Sequence, residues 1–586
     1  MRSLCAPITV CCLALTLLVV GCGQEAGDVA PSAEAPASGA ANDEFATPEG
    51  LAESEESGLE LRYAAPAVEM DESVIDGQPG NAVTLQQHAP AASRSVPAGE
   101  RVERSMEEAD SFSMETYDRI VENAFRTVMD HPLSTFSIDV DTASYSNVRR
   151  YLNNGQLPPP GAVRIEELVN YFPYDYPAPN GDVPFAVNAE IAGCPWEPRH
   201  RLVRFGLKGK VIEADQRPPS NLVFLLDVSG SMQNTNKLPL VKQAMQLLVE
   251  RLDENDTVAI AVYAGSSGLV LPPTPASRKH VILSAMERLR AGGSTNGGQG
   301  IELAYSTAMS DFIEGGTNRV ILCTDGDFNI GVTDQSQLVR MIEEKAKSGV
   351  FLSVLGFGMG NYKDSTMEKL ADHGNGNYAY IDTFAEARKV LVEQLTGTLV
   401  TIAKDVKIQV EFNPAQVAAY RLVGYENRML AKEDFNDDTK DAGEIGAGHT
   451  VTALYEIVPR GVESPALANV DPLKYQQPTG LSTEAMSTEV LTLKLRYKEP
   501  DGQTSRKLEF PIRESDATFA TASREFQFAS AVAAFGMLLR QSEHKGVATY
   551  AAVEEWATPA IEADAEGYRE EFLRLVRIAA GLAGSS

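Results

Sequence analysis

The sequence predicts an α/β domain built on a doubly wound, mostly parallel sheet, inserted between β-rich flanking regions and followed by a C-terminal helical segment. Three observations carry this expectation. Between Asn221 and Gly397, short unbroken apolar runs alternate with amphipathic helices, and a strand apolar on both faces is one that helices cover on both faces. On either side of that stretch the apolar spacing changes to a period of two, as in half-buried strands. The last stretch, Ser523 to Ala583, returns to helical spacing. With 586 residues, 43% of them hydrophobic, the chain exceeds what one core usually organises, and two to four domains are expected. The apolar content excludes disorder throughout, and the single long apolar run excludes a polytopic membrane protein.

That run, Leu4 to Val20, sits behind Arg2 and ends Leu18-Val-Val-Gly-Cys22. It is short for a membrane span and placed like the apolar core of a signal peptide. Small residues before a cysteine at this position resemble a bacterial lipobox, which implies a signal peptide over 1–21 and lipidation of Cys22. An uncleaved anchor helix is the alternative. In either case the chain is expected to be exported and tethered. Four of the six cysteines lie at 5, 11, 12 and 22, so the mature chain keeps Cys194 and Cys323 as free thiols, and no disulfide framework is expected.

Residues 22–110 are expected to form a disordered acidic tether. From Gly23 to Asp110 there are 19 Asp and Glu against 4 Arg and no Lys, half of the whole chain's net charge of -30. Such a segment cannot bury enough apolar surface to offset its ordering entropy. As a flexible coil it would reach about 50 Å. The overall acidity also argues against nucleic acid as a partner, since that recognition needs a basic footprint.

Folded sequence is expected from residue 111. In the region 111–218, Thr135–Val140 alternates as a strand, Ala143–Asn153 has helical spacing ending at Gly155, and the three prolines 158–160 break the chain. Ile165–Phe172 reads as a short helix, and Phe185–Ile191 and Leu202–Lys208 as strands. In the α/β region, 219–398, strands are expected at Leu222–Leu226, Val258–Tyr263, Arg319–Cys323, Val350–Phe357 and Tyr378–Ile381. Helices are expected over Leu238–Leu252, His280–Leu289, Leu338–Lys347 and Ala385–Leu395. The region 399–515 carries strands at Val406–Phe412, Val451–Val458, Val490–Tyr497 and Leu508–Ile512. The region 516–586 carries two or three helices, with Phe526, Ala529, Ala533, Met537 and Leu538 on one face. Strands on both sides of the α/β region point to one sandwich split by an insertion.

The chemistry concentrates at strand ends, where ligands bind in open α/β sheets. The first α/β strand runs into Asp227-Val-Ser229-Gly-Ser231. A second loop reads Gly292-Gly-Ser-Thr295-Asn-Gly-Gly298, and a later strand ends in Thr324-Asp325-Gly326. These loops offer carboxylates and hydroxyls, the oxygen donors that hard cations take. Their order resembles the von Willebrand factor type A domain. The resemblance implies a metal-ion-dependent adhesion site formed by Asp227, Ser229, Ser231, Thr295 and Asp325, with Mg²⁺ as the ion and Mn²⁺ or Ca²⁺ as substitutes. It further implies a protein partner whose acidic residue completes the coordination. The segment Thr135-Phe-Ser-Ile-Asp-Val-Asp-Thr-Ala-Ser-Tyr-Ser-Asn-Val-Arg-Arg150 and the region after 400 resemble those of bacterial type A-domain lipoproteins. The likeness then spans roughly 111 to 586.

Other motifs fail on their own terms. Asp139-Val-Asp141-Thr142 imitates the start of a haloacid dehalogenase phosphatase but lacks the continuation. Asp325, Asp327 and Asn329 have calcium-loop spacing, yet Ile330 and Ser336 stand where a glycine and a glutamate are required. Ser229 has no glycine two residues before it, so it is no nucleophile elbow. No catalytic residue and no small-molecule substrate are expected. The expected function is a lipid-anchored cell-envelope protein that binds a protein partner through a Mg²⁺ site, in the outer membrane if the source has two membranes. The alternative is a scaffold or assembly factor in which the ion is mainly structural.

Overall fold

Four residue groups of a computed structural model build the fold: strands before the insertion, the insertion, strands after it, and terminal helices. The structure describes residues 115, 117–181, 183–213, 216–264, 267–293, 297–326, 335–359, 363–467 and 480–584. The expectations for the signal peptide, Cys22 and the tether lie outside the described residues, as does Thr295. Before the insertion come β1 (Arg126–Thr127), β2 (Leu133–Ser137), β3 (Phe185–Gly193) and β4 (Arg201–Gly209). The insertion holds β5 (Ser220–Asp227), β6 (Thr257–Tyr263), β7 (Ser267–Pro275), β8 (Thr317–Thr324), β9 (Phe351–Phe357) and β10 (Tyr378–Ile381). After it come β11 (Thr401–Phe412), β12 (Val417–Val423), β13 (Ile445–Gly446), β14 (Thr450–Pro459), β15 (Glu489–Lys498) and β16 (Arg506–Arg513).

The inserted sheet has the order β10-β9-β8-β5-β6-β7, parallel except for the edge strand β7. β5 shows why its sequence is apolar without interruption. Leu222, Phe224 and Leu226 join a core with Val241, Met245 and Leu248 of the helix Leu238–Arg251. Val223 and Leu225 join another with Ile301, Ala304 and Tyr305 of the helix Gly297–Ser310. Both faces are buried, so no alternation survives. That second helix and β7 are not expected from the pattern. The helix opens with glycines that read as a loop, and at Gly300 an added Cβ would lie 2.9 Å from the Tyr263 Cβ, so close packing requires the glycine. β7 carries Pro272, Pro273 and Pro275, which an edge strand tolerates.

The flanks form the expected sandwich. One sheet has the order β1-β12-β14-β4-β3. The other runs β13-β11-β15-β16, with β2 also paired to β11. Each interleaves strands from before and after the insertion: β14 lies between β12 and β4, and Phe136 of β2 stands opposite Ile408 of β11. Aromatic rings fill the space between the sheets. Phe412 stacks on Tyr420 at 4.1 Å, and Phe185 meets Tyr497 edge-on at 4.8 Å. The terminal helices Arg524–Arg540, Tyr550–Ala557 and Tyr568–Gly584 share a core with Ile165, Leu168 and Phe172. At Gly536 an added Cβ would lie 2.8 Å from Ile165 Cγ1. Cys194 and Cys323 are free and buried, and burial pushes both thiols well above their usual range.

A buried ionic network clasps the insertion to both flanks. Arg164 holds Glu167 at 2.8 Å, Asp364 at 2.5 Å and Glu368 at 2.9 Å. Arg428 holds Asp139 at 3.4 Å, Asp141 at 3.2 Å, Glu368 at 3.1 Å and Asp372 at 2.5 Å. Asp364, Glu368 and Asp372 belong to one helix of the insertion, Asp364–Asp372. The Asp139-Val-Asp141 pair is thus part of this clasp. Six carboxylates surround two guanidinium groups, so negative charge is in excess. Burial accordingly holds the Asp139, Asp141 and Glu167 carboxyls above their usual range and raises Glu368 to about 7.

Two outcomes follow from the clasp. Replacing Arg428 by Met leaves buried carboxylates without their counter-charge and should cost about 3–5 kcal/mol in denaturant unfolding. Glu368 binds its proton more tightly in the folded chain than in the unfolded one, so its contribution turns unfavourable as pH rises from about 4.5 to about 7. The stability of Glu368→Gln relative to wild type should therefore rise across that window and level off above it. A relative stability that falls with pH would contradict the assignment.

Candidate metal centre

β5 and β8 are parallel neighbours with Leu226 opposite Cys323, so their carboxyl ends finish side by side. Asp227 is the last residue of β5, Thr324 the last of β8, and Asp325 follows directly. The Thr324 hydroxyl reaches Asp227 Oδ2 at 3.5 Å. Past β5 the chain turns on an Asx contact in which the Ser229 amide donates to Asp227 Oδ1 at 2.8 Å. A short 3₁₀ turn, Gly230–Gln233, follows. This folding brings the Ser229 and Ser231 hydroxyls to 3.0 Å from one another.

The second loop is pinned to the first. The Gly292 amide donates to the Val228 carbonyl at 2.7 Å, and the Gly230 amide donates to the Gly293 carbonyl at 3.1 Å. The structure therefore gathers Asp227, Ser229, Ser231 and Asp325 at one sheet edge. It sets the start of the glycine-rich loop against them, while Thr295 lies outside the described residues.

Burial is graded across the site. Asp227, Ser229 and Asp325 are buried and Ser231 is exposed, so the site faces solvent at Ser231. Burial raises the Asp227 carboxyl to about 6, against hydrogen bonds from Ser229, and the nearby Asp325 charge raises it further. A divalent cation would relieve that repulsion. Every donor is an oxygen, and few of them are carboxylates, which suits a hard cation that keeps some of its water. The residues present fit such an ion. Among the described residues no group of three or more His, Cys, Asp or Glu could hold a metal.

One participant escapes the motif: Lys237, whose ammonium lies 2.8 Å from Asp325 Oδ2. Its signal in the sequence is a lysine immediately before a helix, where a cation is disfavoured.

Comparison with known proteins agrees with this architecture. Residues 221–394 match the family described as von Willebrand factor type A domain, residues 111–204 match one described as von Willebrand factor, and residues 397–582 match "Uncharacterized protein YfbK, C-terminal". YfbK of Escherichia coli K12 is 45% identical over 474 residues, covering 80% of this chain and 81% of that protein. The protein sll0103 of Synechocystis is 30% identical over 196 residues, or 33% of this chain and 45% of that one. A solved von Willebrand factor type A protein from Catenulispora acidiphila covers 67% of this chain and 89% of its own, at 15% identity and a TM-score of 0.38. The chain belongs to the YfbK family, with a von Willebrand factor type A domain set between its two flanking segments.

Proposed function

We propose that this protein captures a protein partner through a divalent-cation site at the strand ends of its type A domain, while a lipid on Cys22 anchors it to the cell envelope. One observation carries the reading: two buried carboxylates from adjacent strands converge with a hydroxyl pair that opens to solvent at Ser231. Asp227, Ser229, Ser231 and Asp325, with Thr295, would hold the ion. Mg²⁺ is the proposed ion, with Mn²⁺ or Ca²⁺ able to replace it. When bound, it supplies a positive centre that accepts a carboxylate from the partner.

The chain's own contribution is to orient these oxygens and keep the carboxylates from water. The role we assign to this edge is coordination of a partner carboxylate, not bond breaking. Neither a nucleic acid nor a small-molecule substrate is invoked. No helix among the described residues is long and apolar enough to cross a membrane, and the anchoring is assigned to Cys22. Outer-membrane delivery follows if the source has two membranes.

A second reading makes the ion a structural part of an envelope scaffold. It is favoured by the raised Asp227 carboxyl, since an ion that offsets buried like charges also stabilises the fold. Crosslinked pull-downs from native envelopes separate the two. Under the first reading, chelator and Asp227→Ala or Asp325→Ala each reduce capture to background, at least about tenfold. Under the second, chelator lowers the melting temperature and leaves capture intact below it. Capture unchanged by chelator would refute the first reading. Separately, Cys22→Ala should move the protein from the membrane fraction to the soluble fraction of the envelope.

A further inference from the structure

Lys237 pays two electrostatic penalties to reach the metal centre. It stands immediately before the helix Leu238–Arg251, at an N-terminus whose partial charge is itself positive. Its side chain is only 9% exposed, where an ammonium without a partner is costly. The return is the contact with Asp325 Oδ2 at 2.8 Å.

The route to that contact is built into the loop after β9. Gly358 has φ +82, and an added Cβ there would lie 2.3 to 2.9 Å from the Cε, Cγ and Cδ atoms of Lys237. The Tyr380 hydroxyl donates to the Gly358 carbonyl and fixes the loop in place. Any larger residue at 358 would displace the lysine stem.

Given the divalent-cation reading above, on which this inference rests, we propose that Lys237 is a positioning residue that sets the charge of the loaded site. Asp227 and Asp325 bring two negative charges and Lys237 one positive charge. A bound divalent cation then leaves the centre with a net charge of about one positive, which a partner carboxylate neutralises. Without Lys237 the two aspartates would neutralise the ion themselves. The lysine thus weakens the grip on the ion and keeps the site in need of an acidic ligand from outside.

The test is calorimetric titration of Mg²⁺ into the Cys22→Ala chain, alone and with Lys237→Met or Lys237→Gln added, with Asp227→Ala as the control that lacks a ligand. Both neutral variants should bind Mg²⁺ about tenfold more tightly than the Cys22→Ala chain alone, the scale expected for one like charge removed from a few ångströms away. They should also show a larger Mg²⁺-induced rise in Tm, because tighter binding stabilises the folded state more. Lys237→Gln keeps a polar group on the stem and serves if Lys237→Met fails to fold. The Cys22→Ala chain without measurable binding, alongside Lys237 variants that do bind, also supports the proposal. Unchanged or weaker Mg²⁺ binding in a folded neutral variant overturns it and leaves the cation site standing. No binding in any of them refutes the cation site, and the role of Lys237 falls with it.

Discussion

The contact on which this architecture depends is the grip of Arg164 and Arg428 on the helix Asp364–Asp372. Each guanidinium reaches carboxylates from the insertion and from a flank: Arg164 binds Glu167 and Asp364, and Arg428 binds Asp139, Asp141 and Asp372. Arg164 precedes the type A domain and Arg428 follows it, so the clasp closes around the insertion from both sides. Arg149 repeats the arrangement nearby, bonding Asp382 and Glu386 of the insertion and Glu571 of the terminal helices. Buried ion pairs of this kind add little net stability over well-packed apolar residues, but they are costly to break singly. Each of these three arginines ties the insertion to a flank through a buried charge that would be left unpaired if its partner were lost.

These ties extend to the edge where Asp227 and Asp325 lie. The Arg150 guanidinium sits 5.5 Å from the Tyr380 ring and pairs with Glu115 at 2.7 Å. Tyr380 in turn holds the Gly358 carbonyl, and Gly358 makes room for Lys237. A continuous set of contacts therefore runs from the N-terminal flank to Asp325. The family-specific flanks are more than a support for the type A domain, since their contacts reach the loop at Gly358 that packs against Lys237.

The sheet and the carboxylate–hydroxyl set were legible in the sequence because both have local signatures. Unbroken apolar runs such as Leu222–Leu226 announce a strand buried on both faces, and Asp227-Val-Ser229-Gly-Ser231 sits directly at its end. The sandwich was legible from the order of its strands. The helix Gly297–Ser310 was hidden by glycines whose purpose is tertiary, namely the approach of Gly300 to Tyr263. β7 was hidden by prolines that only an edge position permits. Asp139 and Asp141 read as an isolated motif because their partner, Arg428, lies nearly three hundred residues away. Lys237 was missed for the same reason, since nothing local links it to Asp325.

Crystals of the Cys22→Ala chain soaked in Mn²⁺ and measured for anomalous scattering test the central claim most directly. The account predicts one strong peak per chain at the ends of β5 and β8, beside the Ser229 and Ser231 hydroxyls, and its loss in Asp227→Ala. A site with no peak at saturating Mn²⁺, or a peak on the clasp carboxylates Asp139 and Asp141 instead, would contradict it.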